Sequence, residues 1–132
     1  MADLVETGTG RSRRPAGRPV PVVPPDHEGR PRVFLVPTPG HFPGHVAVVA
    51  RGEGVTYFFA GDATYAQDDL AAERVDGVTN DPALSFATLR AIKAFAACEP
   101  TVLLPAHDLD GLRRHAAGEV YAPSLPNLAL QM

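Results

Sequence analysis

The sequence predicts an α/β fold, and three observations lead to this prediction. Short apolar runs bounded by proline or glycine recur from Val33 onward, which is typical of buried strands. One longer segment places apolar residues at helical spacing. These elements follow one another as strand, hairpin, helix and strand along the 132-residue chain. A chain of this length is expected to form one domain or part of one.

The first half of the predicted domain contains three strands. Val33–Val36 is a short apolar run that Pro37 ends, and a Pro- and Gly-rich loop is expected after it. Val46–Ala50 and Val55–Ala60 are apolar runs separated by a glycine-containing turn, so they are predicted to form a hairpin of two buried strands. The polar segment Gly61–Asp69 is predicted to be a loop that includes a short helical turn.

The second half contains the clearest helix. Asn80 or Asp81 is suited to cap its N-terminus. Apolar residues then recur at helical spacing, namely Leu84, Ala87, Ala91, Ile92 and Phe95. Pro100 ends this helix, and Thr101–Leu104 is a further short buried strand. The pattern weakens beyond that strand, where only Gly111–Ala117 has the character of a helical turn.

The two ends of the chain differ from the predicted domain, which spans residues 31–120. Residues 1–30 contain little that can be buried, so they are predicted to be a disordered or extended tail. An RNA-binding arm is the alternative for this tail, because four arginines cluster there, although no aromatic residue accompanies them. Residues 121–132 are a C-terminal segment without a clear period.

Composition and charge exclude several classes of protein. The formal net charge is −3, so no basic excess exists to bind nucleic acid. The single cysteine, Cys98, excludes an internal disulfide framework and is expected to be a buried small apolar residue. No apolar run approaches the ~20 residues that span a bilayer, and the N-terminus lacks the apolar core of a signal peptide. A cytoplasmic protein with no membrane partner is therefore expected.

Three polar residues directly follow predicted strands. His41 follows the first strand, Asp62 follows the hairpin and His107 follows the last strand. Ligands of α/β proteins bind at the carboxyl ends of strands, and two imidazoles with a carboxylate are ligands that zinc accepts. Each residue alone is more often a surface or turn residue. Together, at three strand ends, they predict a metal site.

The segments around these residues resemble the C-terminal half of the metallo-β-lactamase fold. The specific part is Thr38-Pro-Gly-His-Phe-Pro-Gly-His45, and Ala60-Gly-Asp-Ala63 and Leu104-Pro-Ala-His-Asp108 add weaker support. Within that superfamily the sequence is similar to the N-acyl-homoserine lactonases, which also have a tyrosine three residues after the aspartate, here Tyr65. The resemblance implies half of an αββα sandwich, a mixed sheet with flanking helices.

The resemblance also implies roles for individual residues. His41 would bind one metal ion, Asp62 would bridge two ions, and His107 would bind the second. Tyr65 would be catalytic, with its hydroxyl supporting the substrate carbonyl and the developing oxyanion. His45 is expected to brace the His41 loop rather than to bind metal. The implied cofactor is two zinc ions, with iron or manganese as alternatives, and the implied reaction is hydrolysis of a small-molecule lactone or ester by metal-bound hydroxide.

One family feature is absent from this sequence. The five histidines, at positions 27, 41, 45, 107 and 115, include no pair separated by one residue, so the family's His-x-His-x-Asp-His signature is not present. Weak or no hydrolysis by the chain alone is therefore expected, and the alternative is a non-catalytic fragment or interaction module. An apolar sheet face would lack its cover, so a second copy or a complementary half-domain is an expected partner. The N-terminal tail fits a truncated or wrongly started reading frame as well as a true N-terminus.

Overall fold

The computed structural model describes residues 20–21 and 32–122. These residues form a mixed sheet of five strands in the order β1-β2-β3-β4-β5, together with three helices. The strands are β1 (Val20–Pro21), β2 (Val33–Pro37), β3 (Val46–Arg51), β4 (Thr56–Gly61) and β5 (Thr101–Pro105). The helices are α1 (Gln67–Ala71), α2 (Pro82–Cys98) and α3 (Gly111–Ala117). The predicted α/β class is confirmed.

The direction of the strands brings three carboxyl ends to one edge of the sheet. Each of the first four strands pairs antiparallel with the next one along the chain up to β4, whereas β4 and β5 pair parallel. Strands β2, β4 and β5 therefore run in the same direction and end at the same edge. The predicted hairpin is confirmed as β3 and β4, and the parallel pairing of β5 is reached through the crossover that contains α1 and α2.

The hydrophobic core lies between one face of the sheet and α2. Phe34, Val49 and Phe58 alternate with outward-facing neighbours along β2, β3 and β4, and each is almost completely buried. Leu89 and Ile92 of α2 belong to the same buried cluster. Burial of this face defines the register, because a one-residue shift would place these side chains in solvent.

The opposite face of the sheet is apolar but partly exposed. Val46, Val48 and Phe59 are 44%, 36% and 42% exposed, respectively. Each strand of the hairpin therefore has one buried face and one partly exposed face. Helix α3 packs against β5 at one side of this face, where the His115 ring lies 5.2 Å from the Tyr57 ring.

Helix α2 begins and ends where the sequence predicts. Asp81 is its N-cap, and the Asp81 carboxylate accepts a hydrogen bond of 3.0 Å from the backbone N–H of Leu84. The expectation that Cys98 is buried is wrong, since the residue is exposed. Cys98 lies two residues beyond the buried Ala96, which is a rotation of about 200° around the helix, so its side chain points away from the core.

Much of the two predicted end segments lies outside the described residues. Of the predicted tail, Val20 and Pro21 are described, and they pair with Leu35 and Phe34 of β2. Of the C-terminal segment, Tyr121 is buried, and its backbone N–H donates to the carbonyl of Thr101 over 2.8 Å. No helix in the described ranges has the length and apolarity needed to cross a membrane.

Candidate metal centre

The loop between β2 and β3 carries His41 and is held in a fixed shape. The backbone N–H of Thr38 donates to the carbonyl of His45 over 3.0 Å, which closes the loop at its base. Gly40 has a φ of +136°, and an added Cβ would lie only 2.5 Å from the backbone of Ser85. Glycine is required here because the loop passes directly against the first turn of α2. This close contact places His41 above the sheet edge.

His45 joins the β2–β3 loop to the end of β4. Its Nε2 accepts a hydrogen bond of 3.1 Å from the backbone N–H of Asp62. Nδ1 must then carry the ring proton of the neutral imidazole, and it donates to the hydroxyl of Thr38 over 2.7 Å. Both nitrogens are therefore occupied by protein groups. His45 acts as a brace within the site, in the manner expected from the sequence.

His41, Asp62 and His107 come together at the shared edge of the sheet. The Nε2 of His41 lies 3.5 Å from Asp62 Oδ2, and the Nε2 of His107 lies 2.9 Å from Asp62 Oδ1. The parallel pairing of β4 and β5 continues past the strands, where the N–H of Ala106 donates to the carbonyl of Gly61 over 3.1 Å. Each imidazole thus faces a different oxygen of one carboxylate.

Tyr65 lies beside both imidazoles. Its ring centroid is 4.4 Å from that of His107 and 5.9 Å from that of His41. Desolvation of the phenol, together with the negative charges of Asp76 and Asp62, raises the pKa of Tyr65 above its ordinary value. A tyrosine hydroxyl is protonated near neutral pH even at its ordinary pKa, so it is available as a hydrogen-bond donor.

Asp76 is a member of the site that the sequence did not indicate. Its Oδ2 lies 3.3 Å from the Nδ1 of His41, and its side chain is only 12% exposed. Asp76 lies 35 residues after His41, in the segment between α1 and α2, and it follows no strand. The Asp-Gly pair at positions 76 and 77 resembles an ordinary turn, so the sequence carried no signal for its role.

Asp108 fixes the turn that presents His107. Its Oδ2 accepts hydrogen bonds from the backbone N–H of Gln67 over 2.8 Å and from the guanidinium of Arg114 over 2.6 Å. Desolvation alone would raise the pKa of Asp108, but hydrogen bonds from Arg114 and from backbone N–H groups outweigh it and lower the pKa. The ionised carboxylate of Asp108 therefore bonds to the start of α1 and to the buried Arg114 of α3. These bonds hold the turn in which His107 is the preceding residue.

The nitrogen and oxygen atoms of His41, Asp62 and His107 are of the types that bind zinc, but they are fewer than a complete metal centre needs. Imidazole nitrogen and carboxylate oxygen are ordinary zinc ligands, and a carboxylate with one imidazole at each oxygen suits a position between two cations. Each cation would nevertheless receive two ligands from these side chains, whereas catalytic zinc usually has three. Residues 32–122 contain no cluster of three or more His, Cys, Asp or Glu side chains arranged to hold a metal ion.

Comparison with known families identifies the class of protein. The family model described as the metallo-beta-lactamase superfamily matches residues 4–107. This match covers most of the chain, so the chain belongs to the metallo-beta-lactamase superfamily. No curated protein sequence matches the chain.

The chain is also similar to individual solved structures within this superfamily. An N-acyl homoserine lactone hydrolase, with the product N-hexanoyl-L-homoserine bound at its catalytic metal center, is 26% identical with a TM-score of 0.56. A mutant AiiA protein of B. thuringiensis, with N-decanoyl-L-homoserine at its active site, is 26% identical with a TM-score of 0.57. Each match covers 69% of this chain and 36% of the other chain. A quorum-quenching N-acyl homoserine lactone lactonase is 25% identical, with a TM-score of 0.56 and coverage of 75% and 40%. The chain thus spans less than half the length of these structures.

Proposed function

We propose that this chain contributes the C-terminal part of a metal-dependent hydrolase site that cleaves lactones or esters. The observation that carries the proposal is the arrangement of His41 and His107 at the two oxygens of Asp62. The similarity to a lactone hydrolase whose product is bound at a catalytic metal center supports the same assignment.

The proposed roles follow from the donor atoms. His41, Asp62 and His107 would hold the metal ions, with an imidazole nitrogen on either side of the Asp62 carboxylate. The ions are zinc, with iron or manganese as alternatives that accept the same ligands. Two divalent ions at such a site polarise a substrate carbonyl and make hydroxide available near neutral pH. Asp108 and His45 keep the three ligands in place through the contacts of their own loops.

Tyr65 is the proposed substrate-contacting residue. Its ring lies next to both imidazoles, and a phenol is ordinarily protonated near neutral pH. A protonated hydroxyl at this position donates a hydrogen bond to the substrate carbonyl oxygen, where negative charge develops during hydrolysis. The substrate is a small molecule with a lactone or ester group.

The second candidate is a non-catalytic module that retains this part of the fold. Two observations favour it. The described side chains supply only two ligands for each ion, and one face of the sheet exposes Val46, Val48 and Phe59. A complementary half-domain or a second copy of the chain would be its partner.

An assay of lactone and ester hydrolysis with added zinc, manganese or iron separates these candidates. We expect slow turnover, well below the ~1–10³ s⁻¹ of an ordinary enzyme, because the ligand set is incomplete. Asp62→Ala should abolish this turnover, whereas Asp68→Ala, which changes an exposed aspartate of α1, should leave it unchanged. Hydrolysis that persists in Asp62→Ala would contradict the assigned site. Complete absence of metal-dependent hydrolysis would favour the non-catalytic module.

A further inference from the structure

We propose that Asp76 is a positioning residue for His41. Its carboxylate accepts a hydrogen bond from Nδ1 of His41, which keeps the ring proton on Nδ1 and leaves the lone pair of Nε2 directed toward Asp62. The proposal rests on the proposed metal centre, because the orientation of His41 matters for function only if Nε2 is a metal ligand.

The distances and the exposure favour Asp76 over Asp62 as the acceptor of the His41 proton. Nδ1 lies 3.3 Å from Asp76 Oδ2, and Nε2 lies 3.5 Å from Asp62 Oδ2. The side chain of Asp76 is 12% exposed, whereas that of Asp62 is 37% exposed. The shorter and better shielded contact is the stronger one, since water competes less for a buried carboxylate.

Asp76 is itself held in place by its loop. Its second oxygen, Oδ1, accepts a hydrogen bond of 2.9 Å from the backbone N–H of Val78. Beyond this turn the N–H of Asn80 donates to the carbonyl of His41 over 3.1 Å, and the N–H of Asp81 donates to the carbonyl of Gly40 over 2.9 Å. The segment before α2 is therefore bonded to the His41 loop by both backbone and side chain. These bonds fix the position of the carboxylate relative to the imidazole.

A carboxylate in this position is a known means of tuning a metal-binding histidine. The hydrogen bond selects one tautomer, fixes the plane of the ring and makes the ligating nitrogen more basic. Loss of such a partner typically lowers metal affinity by about 10- to 100-fold. Asp76 would therefore influence the metal through His41 without touching it.

Asp76→Asn is the variant that tests most directly whether Asp76 controls the position of the His41 ring proton. The asparagine oxygen can replace Oδ1 and accept from Val78, which places the amide NH₂ group toward His41 Nδ1. An amide donor at that position favours a lone pair on Nδ1 and moves the ring proton to Nε2. The matched control is Asp81→Asn, which changes the N-cap of α2 in the same segment to a residue that caps helices equally well.

The experiment records the ring nitrogen resonances of His41 by NMR in the metal-free chain, at a pH where the ring is neutral. We expect mainly the Nδ1–H form in the parent chain and in Asp81→Asn, and a shift toward the Nε2–H form in Asp76→Asn. Zinc affinity, measured by calorimetry, should fall about 10- to 100-fold in Asp76→Asn and remain unchanged in Asp81→Asn.

Two results would overturn the proposal, and the first of them can be obtained from the parent chain without any variant. It would be overturned if metal-free His41 were mainly Nε2–H, or if Asp76→Asn left both the tautomer and the zinc affinity unchanged. A parent chain that binds no zinc would instead contradict the proposed function. The tautomer measurement needs no metal, so it still decides whether Asp76 controls the His41 proton.

Discussion

Gly61 permits the contact between His45 and the backbone of Asp62. Its φ is +56°, a left-handed conformation that side chains rarely adopt, and an added Cβ would lie 2.9 Å from His45 Nε2. The same residue ends β4, and its carbonyl accepts the hydrogen bond from the N–H of Ala106 that joins the two parallel strand ends. Because Gly61 has no side chain, His45 can contact the backbone of Asp62, and the turn that carries His107 can pack against the end of β4.

Gly61→Ala should destabilise the chain and displace His45. The backbone conformation alone costs about 1–2 kcal/mol for a residue with a Cβ, and the contact with His45 adds to that cost. Gly118→Ala is the matched control, because Gly118 has a φ of +60° but open space around an added Cβ. We expect the free energy of unfolding, measured by denaturant titration, to fall further in Gly61→Ala than in Gly118→Ala. Equal losses in the two variants would contradict the proposed His45 contact.

Individual site residues differed in how well the sequence could reveal them. The sequence could predict that His41, Asp62 and His107 lie close together, because each follows an apolar run that ends in proline or glycine. Asp76 was missed because its contact with His41 depends on how the segment before α2 folds back over the β2–β3 loop. Neither local spacing nor residue type carries that information.

Among the secondary-structure elements, α2 and the strands are linked by Glu99 at the end opposite to the site. Its carboxylate accepts a hydrogen bond of 2.6 Å from the hydroxyl of Thr56 and one of 3.3 Å from the guanidinium of Arg51. Desolvation alone would raise the pKa of Glu99, but the bonds from Thr56 and Arg51 and the charge of Arg51 outweigh it and lower the pKa. The ionised carboxylate therefore stabilises the junction of α2, β3 and β4.

Glu99→Gln should reduce stability at neutral pH but not in acid. Because the pKa of Glu99 is lower in the folded chain, its stabilising effect is fully present above its ordinary value of 4.5 and is lost as pH falls through the lowered pKa. At pH 7 we expect a loss of about 1 kcal/mol in the free energy of unfolding. Denaturant titrations from pH 7 to pH 3 should show the difference shrinking, while Glu53→Gln, in the exposed β3–β4 turn, shows none. A pH-independent difference would contradict this role.

The bounds of the elements followed from sequence more readily than their pairing. Proline and glycine end the strands, and Asp81 with Pro82 begins α2, so these limits were predicted within a few residues. The parallel pairing of β4 with β5 was not predicted, because it depends on the crossover through α1 and α2. The exposed position of Cys98 was also missed, since helical spacing alone did not show which face of the last turn packs on the sheet.

At the scale of the whole molecule, the outer face of the sheet is an apolar surface that the described residues leave partly exposed. Val46, Val48 and Phe59 are exposed on adjacent strands, and Val48 and Phe59 are directly paired in the register. Helix α3 packs against β5, and its Leu112 side chain is 86% exposed. Soluble monomers rarely expose a contiguous apolar patch beyond a few hundred Å². Covering about 400 Å² of such surface would contribute on the order of 10 kcal/mol.

We therefore expect the isolated chain to self-associate through this face. Sedimentation at micromolar concentration should show dimers or larger species, and Phe59→Lys should shift the distribution toward monomer. Phe42→Lys is the matched control, because it changes an exposed phenylalanine of the β2–β3 loop rather than of the sheet face. A compact monomer that unfolds cooperatively and binds no hydrophobic dye would show that the face is already covered.

The most direct test of the metal centre is a zinc titration followed through the ring nitrogens of individual histidines by NMR. We predict that the Nε2 resonances of His41 and His107 shift together, that His45 and His115 do not act as ligands, and that Asp62→Ala abolishes the shared response. This result would show that one carboxylate couples the two imidazoles in a common site. Zinc that shifts His41 without His107, or that binds equally well to Asp62→Ala, would contradict the assignment.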